Sequence, residues 1–355
     1  MSEIIRRKTR QISLGGVLIG GDAPISIQSM LSVRTSDIPA ARDQLIRLQT
    51  AGCDIIRFSV VDIKDAEAIP ELKKHCSMPM VADIHFDHTL ALAALEYGID
   101  GLRINPGNIE KREHVEAFVS AAKERGVPIR VGVNSGSLPR DLLERYGLTA
   151  QAMVEAALRH VRILEELNFE RIKISVKASH VPLMLDSYRI LSARCDYPLH
   201  LGITESGTLL AGSIKSALAL GILLEEGIGD TIRVSLTSDP VQEVIAAKEI
   251  LKALELRKGL NIVSCPTCGR TRINLIGLAE KVETALAKYA DLPLTIAVMG
   301  CAVNGPGEAR AADYGIAGGE SEGLLFAHGQ IVKKVPEDRL VTELLALIEA
   351  GLRTE

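Results

Sequence analysis

Three cysteines in the last third of the chain have a spacing that suits a metal centre: Cys265 and Cys268 in CPTCGR, and Cys301 in GCAVNGPGEA. Thiolates are soft ligands, and a CxxC pair with one distant cysteine supplies three corners of a tetrahedral site. Structural zinc wants four Cys or His ligands. This part of the chain has no fourth cysteine and a single histidine, His328 in FAHGQ. An iron–sulfur cluster can be held by three cysteines with one iron open to another ligand. The Gly305-Pro306-Gly307 turn after Cys301 suits a chain reversal that offers Glu308 as that ligand. A carboxylate is harder than a thiolate and leaves iron more readily. Spacing alone keeps both zinc and iron–sulfur open. Cys53, Cys76 and Cys195 each precede a strand-like run and are expected to be packing residues.

These groups need elements to position them. From residue 24 to about 240, short β-branched runs alternate with longer Ala/Leu/Glu-rich segments of helical period, the pattern of βα units around a parallel sheet. The runs are PISIQSM, DIIRFSV, PMVADIHF, DGLRIN, PIRVGVN, RIKISVKAS, PLHLGIT and TIRVSLT. Eight units in this length predict an α/β fold of (β/α)8 TIM-barrel type. A doubly wound sheet is the runner-up, but no GxGxxG follows the first run. RQISLGGVLIGG reads as a hairpin closing the barrel floor, and PVQEVIAAKEILKALEL as the last barrel helix. Composition then changes, with Gly-rich turns, the strand LTIAVMG and helices near 272–289 and 337–350. We therefore expect a barrel over residues 1–258 and a smaller α+β domain over 259–355.

Barrel chemistry sits at the C-terminal ends of the strands. Those ends carry Gln28 and Ser29, Arg57, Asp83 and His85, Arg103 and Asn105, Arg130 and Asn134, Lys173 and Lys177, His200 and Glu205, and Arg233 and Ser235. Unpaired charges inside a protein cost several kcal/mol each, so a cationic ring of this kind implies an anionic ligand. Guanidinium forks match phosphate oxygens, which points to a phosphorylated, multiply charged small substrate. Asp83 and Glu205 are expected to sit among these cations and stay ionised. The sequence DIH also suggests a metal-dependent barrel hydrolase, but SIQSM lacks the early histidine pair such enzymes use.

With 41 Lys plus Arg against 45 Asp plus Glu, the formal charge of −4 gives no global attraction to nucleic acid or membrane. No run of about 18 apolar residues suggests a membrane span, and MSEIIRRKTRQ lacks the apolar run of a secretory signal. A cytoplasmic protein is expected.

RQISLGGVLIGGDAPISIQSM, VADIHFD, LRINPGN, SVKAS, HLGITESG, RVSLTSDPVQE, CPTCGRT and MGCAVNGPGEA closely resemble the bacterial 4-hydroxy-3-methylbut-2-enyl diphosphate synthases of the non-mevalonate isoprenoid pathway, in their two-domain form. The resemblance runs over nearly the whole chain. It implies a [4Fe–4S] oxidoreductase performing a two-electron reductive ring opening and dehydroxylation of 2-C-methyl-D-erythritol 2,4-cyclodiphosphate, with ferredoxin or flavodoxin as donor. It further implies Cys265, Cys268, Cys301 and Glu308 as cluster ligands. Arg57, Arg103, Arg130, Asn134, Lys177 and Ser235 match the diphosphate-gripping positions, and Glu205 the acid near the reacting carbons; Asp83 and His85 join the substrate set from the strand ends. The chain order adds a constraint, because the last barrel helix descends roughly 25 Å from the catalytic face before the second domain starts. A head-to-tail homodimer with an active site shared between chains meets that constraint, and the resemblance implies the same. The alternatives are a pterin-binding barrel methyltransferase and a zinc-stabilised anion-binding protein.

Overall fold

The computed structural model describes residues 4–109, 111–301 and 311–353. The chain divides into two compact units, Met1–Arg257 and Lys258–Glu355.

In the first unit a short hairpin, β1 (Ile12–Leu14) and β2 (Val17–Ile19), precedes eight parallel strands. These are β3 (Ser26–Met30), β4 (Ile55–Ser59), β5 (Met80–Asp83), β6 (Gly101–Arg103), β7 (Ile129–Asn134), β8 (Ile172–Lys177), β9 (His200–Leu201) and β10 (Thr231–Ile232). They pair in the order β8-β7-β6-β5-β4-β3-β10-β9, and a parallel bridge between Ile174 and Leu199 brings β9 back to β8. The expected eight-stranded barrel is thus formed. Helices alternate with the strands, from Ile38–Thr50 to Pro240–Ala253. Five of them start on side-chain caps, where Asp37, Asp62, Asp87, Thr149 and Asp239 accept an N–H two or three residues on, each worth about 0.5–2 kcal/mol.

The hairpin seals the floor. Ile12, Leu14 and Ile19 pack with Ile55 and Val81 at the strand starts. Gly15 makes its turn with φ +52°, and a Cβ there would lie 2.8 Å from the Pro79 Cβ, so no other residue fits. Carboxylates mark this end. Asp54, Asp100 and Asp230 accept the backbone N–H groups of Ile27, Met80 and Leu199 at 2.7, 2.9 and 2.8 Å. Cys53 is buried as expected of a packing residue, and burial pushes its thiol up to about 12; Cys76 and Cys195 are half-buried, their thiols also pushed up by burial.

Two runs are much shorter as strands than their β-branched pattern suggested. PLHLGIT forms a strand only over His200–Leu201, with the single bridge at Leu199, and TIRVSLT only over Thr231–Ile232. Beyond those residues the backbone bonds to neighbouring loops instead, with Thr204 N–H donating to Ala178 O at 3.2 Å and Thr237 N–H to Gly207 O at 2.9 Å.

The second unit is a five-stranded sheet ordered β11 (Asn261–Ser264), β12 (Thr295–Met299), β13 (Tyr314–Gly318), β14 (Glu322–Ala327) and β15 (Gln330–Pro336). The first three strands run parallel and the last two antiparallel. Ile296 and Val298 pack with residues of the helices Leu275–Leu286 and Leu340–Leu352, while Ala297 and Met299 belong to a separate cluster with Ala317 and Phe326, the alternation expected of a strand covered on both faces.

Candidate active site

Alternation along the barrel strands sends every second side chain inward, so β7 directs Arg130, Gly132 and Asn134 to the interior and β8 directs Lys173, Ser175 and Lys177. Asp83, Arg103, Arg130 and Lys173 are successive register partners across β5, β6, β7 and β8. Arg130 and Lys173 are the second residues of their strands, so they rise from a lower layer and are not at the strand ends. The cations form a shaft several layers deep.

Asp83 is the hub. Its carboxylate lies 3.7 Å from Arg57 Nε, 3.3 Å from Arg103 Nη1 and 3.8 Å from His85 Nε2. Burial alone would raise its pKa, but Arg57, Arg103 and Arg130 together hold it below the ordinary carboxylate range. Arg103 Nη2 also donates to Gly132 O at 2.8 Å, and Asn105 pairs with both backbone groups of Gly132 at 2.8 and 2.9 Å. Arg130 Nη1 donates to Ser175 Oγ at 2.6 Å. Arg130 Nε and Nη2 and Lys173 Nζ find no hydrogen-bond partner among the described residues, although all three are buried.

Six cationic side chains, Arg57, Arg103, Arg130, Lys173, Lys177 and Arg233, therefore face two buried carboxylates, Asp83 and Glu243. Burial pushes Arg57 down to about 10, opposed by Asp83 and reinforced by Arg233 and Arg103. Burial followed by repulsion from Arg57 and Arg103 pushes Arg130 well below its ordinary value. Lys173 is driven to about 7 by burial and then by Arg130, and Lys177 falls well below its usual range from burial, Arg130 and Arg233. A multiply charged anion would reverse every one of these repulsions.

Sequence reasoning missed Glu243, Gly132 and Gly202. Glu243 reads as a surface charge on the last barrel helix, yet it is buried, accepts from Ser29 Oγ and Leu236 N–H at 3.0 Å each, and lies 3.5 Å from Arg233 Nε. A Cβ on Gly132 would stand 3.0 Å from Arg103 Nε and 3.2 Å from Arg130 Nη1. On Gly202 it would meet Lys177 Nζ at 2.5 Å and Arg233 O at 2.7 Å. Gly202→Ala should thus displace the ammonium and weaken pyrophosphate binding roughly 10- to 100-fold, the scale of a misplaced charge. Calorimetric titration measures this, and unchanged affinity would contradict the packing role.

Glu205 is exposed, and among the described residues no ion pair within 4 Å involves it. It lies in the loop after β9, with φ +54°. A non-glycine residue in this region is strained and persists only where its surroundings hold it. Here Thr204 N–H binds Ala178 O, the Ser206 hydroxyl binds Ser235 O, and Gly207 O receives Thr237 N–H. His85 is exposed beside Asp83 and Arg103, while Asn134 and Ser235 are half-buried on β7 and after β10. His200 belongs to a lower layer, bonded to Thr231 Oγ1 at 2.8 Å and kept neutral by burial and Lys177.

In the second unit, parallel pairing of β11 and β12 places Cys265 and Cys301 just beyond the ends of neighbouring strands. Gly300 N–H donates to Cys265 Sγ at 3.2 Å. Cys268 is exposed, and backbone N–H groups led by that of Arg270 hold its thiol below the ordinary value. N–H donors at sulfur favour the thiolate and suit an iron–sulfur or zinc ligand. Among the described residues no three Cys, His, Asp or Glu side chains are grouped to hold a metal ion. Glu308 lies outside the described residues.

The GcpE TIM-barrel domain model matches residues 9–248, and the GcpE protein C-terminal domain model matches residues 261–350. The chain belongs to the GcpE family. Among its GcpE relatives, the 4-hydroxy-3-methylbut-2-en-1-yl diphosphate synthase (flavodoxin) of Geobacter sulfurreducens is 61% identical over 347 residues, covering 97% of this chain and 98% of the relative. The protein of the same name from Caldanaerobacter subterraneus subsp. tengcongensis is 54% identical over 353 residues, 99% of each chain. Among solved structures, dihydropteroate synthase of Xanthomonas albilineans is similar with a TM-score of 0.51 at 13% identity, over 69% of this chain and 97% of that one. This likeness is one of fold alone. The GcpE relatives along the whole chain do not favour the methyltransferase or the zinc-capped alternative.

Proposed function

We propose that the chain reduces 2-C-methyl-D-erythritol 2,4-cyclodiphosphate to (E)-4-hydroxy-3-methylbut-2-enyl diphosphate, with flavodoxin as electron donor. Two electrons and two protons enter, the ring C–O bond and a C–OH bond break, a C=C bond forms and water leaves. The observation that carries this reading is the excess of six cations, four buried and two half-buried, over Asp83 and Glu243 in a barrel that shares its chain with a three-cysteine set. The relatives' printed names support it.

Arg57 and Arg103, already anchored by Asp83, would present their outer N–H groups to one phosphoryl group. Arg130 and Lys177 would hold the other from below, with Gly202 leaving room for the ammonium. Asn134 and Ser235 would add neutral hydrogen bonds that fix register. The anion would offset the mutual repulsion of these lysines and arginines and favour their charged forms. Glu205, held at the mouth in a strained backbone, would carry a proton to the departing oxygen. His85, whose pKa is lowered by burial against the pull of Asp83, would be neutral beside Arg103 and orient it. A [4Fe–4S] cluster held by Cys265, Cys268, Cys301 and Glu308 would supply the two electrons, one at a time.

The barrel's exit supports a shared site. Arg257 pairs with Asp54 at 2.8 Å, immediately before β4, so the chain leaves the barrel at its floor. A two-fold dimer brings the thiolate unit of one chain to the other's mouth. Among the described residues no helix is long and apolar enough to cross a membrane, and the reading places the enzyme in the cytoplasm.

Anaerobically prepared protein given reduced flavodoxin should consume the cyclodiphosphate and release the linear diphosphate. Iron-loaded protein that leaves it untouched would remove the proposal. Glu308→Ala should keep its iron and lose turnover, and full activity in that variant would sink the role of Glu308 as a displaceable ligand.

A further inference from the structure

Toward the floor of the barrel the interior holds polar groups that the diphosphate reading does not use. Gln28 is the register partner of Ile55, and Ile55 belongs to the floor cluster with Leu14, Ile19 and Val81. Against that floor lies a cavity of about 10 Å³ whose lining includes Leu14, Val81, Gln28, Arg130 and Lys173. This is room for one water-sized body. The three polar side chains of the lining are almost wholly buried, with Gln28 exposed by 1%, Lys173 by 2% and Arg130 by 4%. Among the described residues, Gln28 Nε2 and Oε1, Lys173 Nζ, and Arg130 Nε and Nη2 find no hydrogen-bond partner. Polar groups buried this deeply are ordinarily satisfied.

The chemistry of the lining decides what would satisfy them. Four of the five unpartnered atoms are donors, and two of the three side chains are cations. Among the described residues no carboxylate lines the cavity. Asp83 is engaged with Arg57 and Arg103, and Asp230 pairs with Arg6 and accepts from Leu199 N–H. A water molecule would bring two protons to a lining with one side-chain acceptor, Gln28 Oε1, and would leave both charges uncompensated. An anion accepts from all the donors and offsets the charges. The size of the cavity suits a single-atom anion and is too small for a phosphate, a sulfate or a carboxylate.

The charge of the whole shaft points the same way. Six cations, Arg57, Arg103, Arg130, Lys173, Lys177 and Arg233, against Asp83 and Glu243 leave an excess of four positive charges when all are ionised. A cyclic diphosphate carries one ionised oxygen on each phosphorus and offsets two of the four, a count that rests on the cyclodiphosphate reading above. A further anion at the bottom of the shaft offsets a third. We propose that a halide ion, chloride under ordinary conditions, is bound in this cavity by the Lys173 ammonium, the Arg130 guanidinium and the Gln28 amide N–H. Its two unpartnered nitrogens let Arg130 serve the halide and a phosphoryl group together. The halide thus holds charged the base on which the diphosphate rests.

The test uses the full chain saturated with pyrophosphate, so that the upper cations are occupied. Crystals grown from sodium bromide should show an anomalous scatterer within hydrogen-bond reach of Lys173 Nζ and the Gln28 amide, and crystals of Lys173→Met should lack it. In solution, chloride should raise the melting temperature with a saturating dose dependence. Methanesulfonate, too large for the cavity, should not do so at the same ionic strength. In Lys173→Met the half-saturating chloride concentration should rise at least about thirtyfold, the effect of removing one partner of a buried charge pair. If that variant does not fold, Gln28→Leu takes its place and should weaken chloride roughly tenfold, the scale of one hydrogen bond to a charged group. A peak of water strength alone in the cavity, bromide only at positions away from Lys173, or equal effects of chloride and methanesulfonate overturns the proposal. Bromide in the crystal without a saturable chloride effect in solution is an adventitious ion only and overturns it too. A chain that binds the halide and never turns over the cyclodiphosphate keeps the anion site and loses the proposed reaction, while turnover without halide binding does the reverse.

Discussion

Arg130→Met should give a folded barrel, at least as stable as the parent, that no longer holds a diphosphate. The guanidinium is buried and repelled by Arg57 and Arg103; among the described residues it bonds through Nη1 to Ser175, and its Nε and Nη2 find no partner. Replacing such a charge with an apolar side chain of similar length removes a desolvation cost, and measured cases gain about 1–4 kcal/mol or break even. Losing the same charge opposite a buried phosphoryl group costs about 2–5 kcal/mol, or roughly 30- to 4,000-fold in affinity. The two effects have opposite signs, so stability and function should separate in one variant. Thermal melting read beside pyrophosphate titration measures both. A variant that melts lower and binds pyrophosphate as tightly as the parent would show Arg130 to be structural.

The second large effect is expected at Cys301. Serine there replaces a soft thiolate with a hard, poorly ionised hydroxyl and leaves at most two cysteines, Cys265 and Cys268, to hold the centre. Turnover should fall by more than about a thousandfold, because the proposed cluster would carry chemistry that no side chain of this chain can perform. Iron and labile sulfide should fall with it. Pyrophosphate affinity should not change, since the cation shaft belongs entirely to the first unit. Retained iron with normal turnover in Cys301→Ser would contradict the ligand assignment.

The barrel was legible because most of its strands are compact β-branched runs and five of its helices open on a readable cap such as Asp37 or Asp239. The cation excess was legible for the same reason, since Arg57, Arg103 and Lys177 all fall within or at the ends of such runs. Depth was not legible. Arg130 and Lys173 occur early in their runs, and only the register of β6, β7 and β8 shows that they continue the row of Arg103. Glu243 was hidden because a glutamate in a helix reads as solvated, and nothing in PVQEVIAAKE announces that Ser29 and Arg233 lie against it. The glycines of the site carry no chemical signal at all. Gly202 matters through the space it leaves for Lys177, and Gly315 of β13 through the space it leaves for Phe326, whose Cζ would be 2.2 Å from a Cβ there. The run before Glu205 reads as a strand to its end, whereas ladder pairing stops at Leu201 and the backbone turns left-handed at Glu205.

The central claim is that an anion-gripping barrel and a redox centre reside in one chain. Iron, acid-labile sulfide and zinc per chain, measured on protein purified without oxygen, test it most directly. The account predicts about four irons and four sulfides per chain, the composition of a cubane cluster. Zinc near one per chain with no sulfide would make the three cysteines a structural site and contradict it.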